Sequence, residues 1–500
     1  MFLGIDVGTT VLKAGLFDPA DGKCLAFQTC RLPLLKGDPE AREQEPKALL
    51  RLLDRTLFHL KKQVGSAWAE VCGIGLATQG GSTLIVDRAT GAPKTPLILW
   101  NDPRAFDEFR RIRESHPPEY WRSFSLRDEP GMGLARLAGL RKTSPELFTE
   151  GNLYVGAGEL VYHHLTGEWR QDPCHALQTG CYDAVNNCLT KIPLDTLGVD
   201  LSFFAPLRDP KPVLPLSPAA AGRMNLNAGI PVAGPYIDQE AGFLSARSAR
   251  KAPLQLSLGT AWVGNFLLGP GISGRSPFQL SIPAPGESGR LIIQPLLAGN
   301  VAWDWALKTF AGGHEQRALV EAGKIFERSL LPGGGLISLP WLNRPNPLRP
   351  EHLGGLSFFG AGPSSDREDL LRAVALGMVC ELRRAFEEVC HKGLIECLVV
   401  SGGAGKGHAF QQLIGHLFSP LPVKRILEED LAATRGCLSF FETPAASSAM
   451  SDIQIQNPDL KSRLDELYQL YLEVFSRIYG KDPSGTAFQI NRCMTREENQ

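Results

Sequence analysis

The 500-residue chain is 43% hydrophobic and 21% charged, a globular composition that excludes a disordered or fibrous protein. One compact core does not grow to this length, so two domains of roughly 200 to 250 residues are expected. A formal net charge of −1 leaves no basic excess, and neither nucleic acid nor a membrane is expected as a partner.

The chain opens on MFLGIDVGTTVLKAG. Residues 2–5 read as a buried strand with Asp6 at its end, and Gly8 allows a tight turn. Thr9 and Thr10 lie at that turn, and residues 11–17 form a second apolar segment, so the piece predicts a β-hairpin. Turn amides and hydroxyls beside a carboxylate suit nucleotide phosphates and their Mg²⁺. An ordinary surface hairpin is the alternative.

Leu49, Leu50, Leu52, Leu53, Leu57 and Leu60 have helical spacing and predict a helix over 47–64, with Pro46 in its first turn. Residues 71–77 read as a buried strand running into Thr78, Gln79, Gly80 and Gly81. A strand at 84–87, a turn at 89–92 and LILWND at 97–102 follow. This alternation predicts an α/β domain. Residues 103–230 are more helical and irregular. Within them Arg110, Arg111 and Arg113 read as a solvated helix face, and 159–168 as a helix closed by Gly167. His163 and His164 are adjacent, so they do not share a helix face as metal ligands would. Residues 206–218 are proline-rich and read as a loop before a strand at 230–233. That strand is expected to end at Gly234, with Asp238 at or near the start of the next helix, where the dipole stabilises a carboxylate.

Residues 254–264 (LQLSLGTAWVG) repeat the design of the first hairpin, with Ser257, Gly259 and Thr260 at the turn. Beyond it, residues 300–310 predict a helix burying Val301, Trp305 and Leu307, and 336–342 a strand. Ser365 to Glu368 fits a capping box before an amphipathic helix at 370–389. A strand at 394–400 leads into Ser401, Gly402, Gly403, Ala404 and Gly405, where a bare backbone can approach a ligand. A phosphate-binding P-loop at Lys406 is excluded, because Val400 stands where its first glycine belongs and Gly407 replaces the Mg²⁺-binding hydroxyl residue. A helix at 460–479 and a loose polar end close the chain.

The eleven cysteines include no Cys-x-x-Cys pair and read as reduced structural thiols. With no basic leader and no apolar run of about 18 residues, a soluble cytoplasmic protein is expected.

Two like hairpins, each opening one half of the chain, imply a duplicated architecture. In order and spacing these motifs resemble the FGGY carbohydrate kinases, over about residues 2–480. The resemblance implies an α/β, two-domain actin-like ATPase (ribonuclease H-like) fold with a duplicated core and a cleft between the domains. It implies an N-terminal domain at 1–247, a C-terminal domain at 248–480 and a polar tail at 481–500. ATP and Mg²⁺ are the implied cofactors, with Asp6 toward the metal and Gly8, Thr9, Thr10, Lys13, Gly259 and Thr260 toward the phosphates. Gly402, Gly403, Ala404 and Gly405 fall where the family holds adenosine, while residues 413–417 and 436–441 depart from its pattern. Asp238 matches the catalytic base, and Gln239 follows it as in glycerol kinases. Thr78, Gln79, Gly80, Gly81, Trp100, Asn101 and Asp102 fall on the loops expected to reach a ketose or polyol substrate.

LWND is close to xylulokinases, but TQGGST carries neither their Gln-Met-His-Gly nor the Asn-Gln-Arg-Glu of glycerol kinases. The glycine pair makes room, which suits a larger or differently substituted polyol. Asp172 and His175 fall where the family has a loop near the substrate, with a structural role favoured for His175. Asn343, Arg344 and Pro345 stand in place of the family's GER-containing loop, which leaves a homodimer as an open expectation. The implied reaction is transfer of phosphate from ATP to a hydroxyl, expected to be terminal, of a free ketose or polyol. A sugar-binding sensor with weakened catalysis and a chaperone-like ATPase are the competing readings.

Overall fold

The computed structural model describes residues 1–247, 252–259, 261–276, 279–296, 299–312, 315–342, 355–480 and 487–492. It divides into two compact units. The first takes Met1–Ser248, Leu280–Leu291 and Asp430–Ser448, and the second Ala249–Gln279, Ile292–Glu429 and Ala449–Gln500.

The first unit is built on a six-stranded sheet. Its strands run in the order Val213–Pro215, Pro231–Ile237, Gly73–Thr78, Phe2–Val7, Val11–Phe17 and Cys24–Arg31. Phe2–Val7 and Val11–Phe17 form the expected antiparallel hairpin, with Val7 opposite Leu12. Phe2–Val7, Gly73–Thr78 and Pro231–Ile237 are mutually parallel, and Val7, Thr78 and Ile237 lie abreast. The strand expected to stop at Gly234 therefore continues three residues further. Its register slips between Ala233 and Tyr236, where Gly234 has a φ of +126°. A glycine followed by a proline that lacks an N–H accommodates this bulge without breaking the sheet.

Helix Pro46–Val64 covers one face, its start capped by the Glu45 carboxylate, which accepts from Lys47 N at 2.9 Å. Leu49, Leu53, Leu57 and Leu60 pack there on Leu3, Ile5, Val7, Ile74 and Leu76, together with Leu160, Val161 and Leu165 of helix Ala157–Thr166. Gly167 closes that second helix in the left-handed conformation, as its spacing predicts. The opposite face packs on helices Asp238–Ala246 and Ala432–Gly436 through Ala77, Ala233, Tyr236, Ala241 and Cys437. Glycines let backbones meet here. A β-carbon at Gly4 would overlap the Thr434 carbonyl, and one at Gly436 the Ala241 carbonyl. Residues 436–441, compared in sequence with an adenine-contacting segment, thus belong to the core of the first unit. The proline-rich stretch at 206–218 is also more ordered than expected, holding strand Val213–Pro215 and leading into helix Pro218–Met224.

In the second unit Pro253–Leu258 pairs antiparallel with Trp262–Leu268 and parallel with Cys397–Ser401. Cys397–Ser401 is parallel in turn to Val423–Ile426, which pairs antiparallel with Met450–Asp452. A hairpin whose first strand has a parallel neighbour thus recurs in both units. Helices Arg367–His391 and Leu460–Tyr479 supply much of the core, including Leu371, Val374, Met378, Leu464, Tyr468 and Tyr471.

Three local expectations are corrected. The cap of Arg367–His391 is Asp366 with Asp369, one residue beyond the predicted Ser365–Glu368 pair. Ser365 instead accepts from Gly362 N at 3.0 Å. Helix Asn300–Ala306 buries Ala302, Trp303 and Ala306 and leaves Val301 exposed and Trp305 half-buried, because Trp303 finds ring partners in Phe326 and Phe410. Leu307 is buried as expected. Gln489–Arg492, within the stretch expected to be a polar tail, pairs antiparallel with Ile272–Arg275. Thr260, Asn343, Arg344, Pro345 and Cys493 lie outside the described residues. No disulfide joins any two of the other ten cysteines among the described residues. No helix among the described residues is long and apolar enough to cross a membrane.

Candidate active site

In the first unit, parallel pairing places Gly8, Gln79 and Asp238 side by side, each immediately after one of three neighbouring strands. The carboxyl ends of parallel strands are where α/β sheets bind ligands, since connecting loops open a crevice there. Asp238 is the first residue of its helix, and its Oδ1 accepts from Gln239 N at 2.8 Å. Burial, then the negative charge of Asp6, pushes its carboxyl up to about 7, against the opposing Gln239 amide and Lys13.

Asp6 is buried and 3.6 Å from Lys13 through Oδ2, while Oδ1 has no hydrogen-bond partner among the described residues. Burial raises its pKa, with Lys13 opposing. At the adjoining turn, Gly8 N donates to Val11 O at 3.0 Å. Its amide therefore closes the hairpin, and its lack of a side chain is what a ligand would use. Thr9 Oγ1 accepts from Trp100 Nε1 at 2.9 Å, and Thr9 O from Gln44 Nε2 at 2.8 Å. Thr10 is exposed.

Trp100 is 38% exposed, so its ring is available to a ligand. The buried Arg136 fixes this region by donating to Gly81 O at 2.6 Å and to Trp100 O. Thr78 is buried, and a β-carbon at Gly158 would lie 2.8 Å from its hydroxyl. Gln79 is also buried, and neither polar atom of its side chain has a partner among the described residues. Asn101 is exposed. Asp102 caps the following turn, and its carboxylate is engaged by Arg42 N at 2.8 Å and by the Arg104 guanidinium. These hydrogen bonds outweigh its desolvation and hold its pKa down.

Asp172 caps helix Pro173–Thr179 by accepting from His175 N at 2.9 Å. His175 is buried, stacked on Tyr154 and 3.6 Å from Glu159 Oε2. Burial lowers the His175 pKa to about 4 and raises that of Glu159 to about 7. His163 stacks on Trp169, and His164 Nε2 lies 3.0 Å from Asp54 Oδ1, so both have structural partners.

In the second unit, a β-carbon at Gly402 would come within 2.9 Å of Gly259 N, so the glycine loop lies against the second hairpin turn. Gly402 N donates to Glu429 Oε2 at 3.1 Å, and Lys406 pairs with the same oxygen at 3.6 Å. Gly403 is exposed, while Ala404 and Gly405 are buried. Trp262 Nε1 donates to Asn300 Oδ1 at 2.9 Å beside this loop.

Sequence reasoning passed over Arg136, Gln178, Glu429 and the Arg208–Glu240 pair. Each acts through tertiary contacts that no local spacing announces. A charge amid apolar neighbours, as in the GLARLAG around Arg136, was the one signal available.

Residues 1–245 match the model of the FGGY family of carbohydrate kinases, N-terminal domain. A gluconokinase of Bacillus subtilis is 23% identical over 440 residues, covering 83% of this chain and 82% of its own. A xylulose kinase of Staphylococcus epidermidis is 22% identical over 500 residues, covering 97% of each. The crystal structure of xylulose kinase from Rhodospirillum rubrum superposes with a TM-score of 0.83 at 19% identity, over 96% of this chain and 99% of that one. Its likeness establishes the actin-like ATPase fold. With the domain match and these full-length relatives, the chain belongs to the FGGY family of carbohydrate kinases and is a phosphotransferase.

Proposed function

We propose that the protein transfers phosphate from Mg-ATP to a hydroxyl, most simply a terminal one, of a free ketose or polyol, with Asp238 as general base. The observation that carries this reading is the alignment of Gly8, Gln79 and Asp238 after three parallel strands, beside the buried Asp6. Relatives named for xylulose, gluconate and glycerol support a small polyhydroxy substrate.

The residues fit the implied cofactor. Among the described residues, Asp6 offers a buried oxygen without a hydrogen-bond partner, and no cluster of three or more His, Cys, Asp or Glu forms a metal cage. One carboxylate completed by phosphate oxygens and water is the way Mg²⁺ usually meets a nucleotide. When bound, it would neutralise charge on the phosphates. Lys13 adds a cation beside Asp6. Thr9 and Thr10, with Gly259 and Thr260 at the second turn, would hold phosphate oxygens, and residues 402–405 the adenosine. Asp238 accepts the hydroxyl proton as that oxygen bonds the γ-phosphorus and the bond to ADP breaks, so its role is alignment and proton removal. Trp100 packs on the carbon chain and Gln79 meets its hydroxyls. In this reading the first unit carries the sugar and the base.

The test is ADP release from purified protein with Mg-ATP across D-xylulose, D-ribulose, glycerol, erythritol and D-gluconate. Sugar-dependent release supports the proposal. Hydrolysis that ignores sugar would overturn it in favour of a conformational ATPase, and calorimetric sugar binding without turnover in favour of a sensor.

A further inference from the structure

The glycine pair at 80 and 81 reads in sequence as an opening for a larger substrate. In the fold, part of that space is already filled. A β-carbon at Gly81 would overlap Oε1 of Gln178, and one at Gly80 would lie 3.3 Å from the same oxygen while overlapping Ile237 Cδ1. Gln178 therefore sits against the Gln79–Gly81 loop, next to the residue that precedes Asp238.

The placement of Gln178 is built in. It is on the last turn of helix Pro173–Thr179. A β-carbon at Gly131 would overlap its carbonyl, and one at Gly133 would lie 2.9 Å from Thr179 Cα. The backbone is thus pressed onto the start of helix Met132–Thr143, and the side chain is directed across to the glycine pair. There its Oε1 is buried without a hydrogen-bond partner among the described residues, as are both polar atoms of Gln79. Burying such a group unpaired costs about 1–3 kcal/mol. Two carboxamides held this way beside the general base are matched to groups that both donate and accept hydrogen bonds.

We propose that Gln178 is a specificity-determining residue of the sugar site, whose carboxamide, with that of Gln79, hydrogen-bonds hydroxyls of a polyhydroxy substrate. It takes the place of polar side chains at positions 80 and 81, which this chain lacks. The proposal rests on the sugar-kinase reading above. Gln178 meets only the sugar, so its loss acts on sugar affinity and selectivity and leaves ATP recognition alone.

Gln178→Ala and Gln178→Leu test it. Sugar KM, ATP KM and kcat are measured on the best substrate of the panel and on its monodeoxy analogues, with calorimetric sugar affinity alongside. Loss of a buried hydrogen bond of this size predicts a rise of about 10- to 100-fold in sugar KM and Kd, with ATP KM unchanged. Against one monodeoxy analogue the wild-type preference collapses toward unity in both variants. Wild-type ratios for the parent and every analogue in both variants would overturn the assignment. If the wild type binds sugar but releases no ADP, the kinase reading falls, while the calorimetric loss in Gln178→Leu still decides Gln178. A wild type that neither binds nor phosphorylates any member of the panel overturns both.

Discussion

Arg208 packs against the buried Glu240, its guanidinium 2.7 Å from Oε1, and a second nitrogen of the same group donates to the Pro235 carbonyl. The guanidinium also lies over the Tyr236 ring, 4.7 Å from its centroid. Pro235 and Tyr236 precede Asp238 and Glu240 follows it, so one side chain grips both sides of the proposed base. Removing one partner of a buried pair strands the other charge, and Arg208→Met is expected to cost about 3–5 kcal/mol in urea unfolding. Arg208→Met combined with Glu240→Met should recover most of that stability. Its kcat should stay low, because Pro235 and Tyr236 are no longer held.

Gly436 and Gly139 should respond oppositely to alanine. At Gly436 the new β-carbon meets the Ala241 carbonyl, a backbone atom in a packed core. Gly436→Ala is therefore expected to destabilise by about 1–3 kcal/mol or more. Gly139 lies inside helix Met132–Thr143 with nothing within 4 Å of an added carbon. Gly139→Ala should stabilise by about 0.4–1 kcal/mol. Thermal melts of the two variants check both signs.

Glu159 makes stability depend on pH. Its carboxyl is pushed by burial from 4.5 up to about 7, so the folded chain keeps a proton there that the unfolded chain loses. The contribution is full below pH 4.5 and is lost as pH rises through about 7. Relative to Glu159→Gln, the wild type should lose about 3 kcal/mol across that window. His175 acts in the other direction, since its neutral form is favoured and stability falls as pH drops from 6.5 toward about 4. Because His175 Nε2 lies 3.6 Å from Glu159 Oε2, the two contributions are coupled, and the comparison is repeated in a His175→Gln background, where only Glu159 of the pair titrates.

Local pattern carried much of the fold. The two hairpins, helix Pro46–Val64 and helix Leu460–Tyr479 were legible because their apolar spacing is unambiguous and turn or cap residues sit at their ends. So was the position of Asp238 at a helix start. The buried face of Asn300–Ala306 was not, since Val301, Trp303 and Trp305 offer two apolar stripes and only neighbouring rings choose between them. Placement of residues 430–448 in the first unit depends on the close approach of Gly4 to Thr434 and of Gly436 to Ala241, residues far apart in the chain. Gln178 was hidden likewise, because its meaning depends on Gly80 and Gly81, far away in the chain.

The most direct test of the account is sugar-dependent ADP release by Asp238→Asn beside the wild type, with sugar binding followed by calorimetry. Loss of a placed general base predicts a fall of about 10²- to 10⁴-fold in kcat, with sugar still bound. A variant that retains wild-type turnover would contradict the assignment of Asp238 as the base.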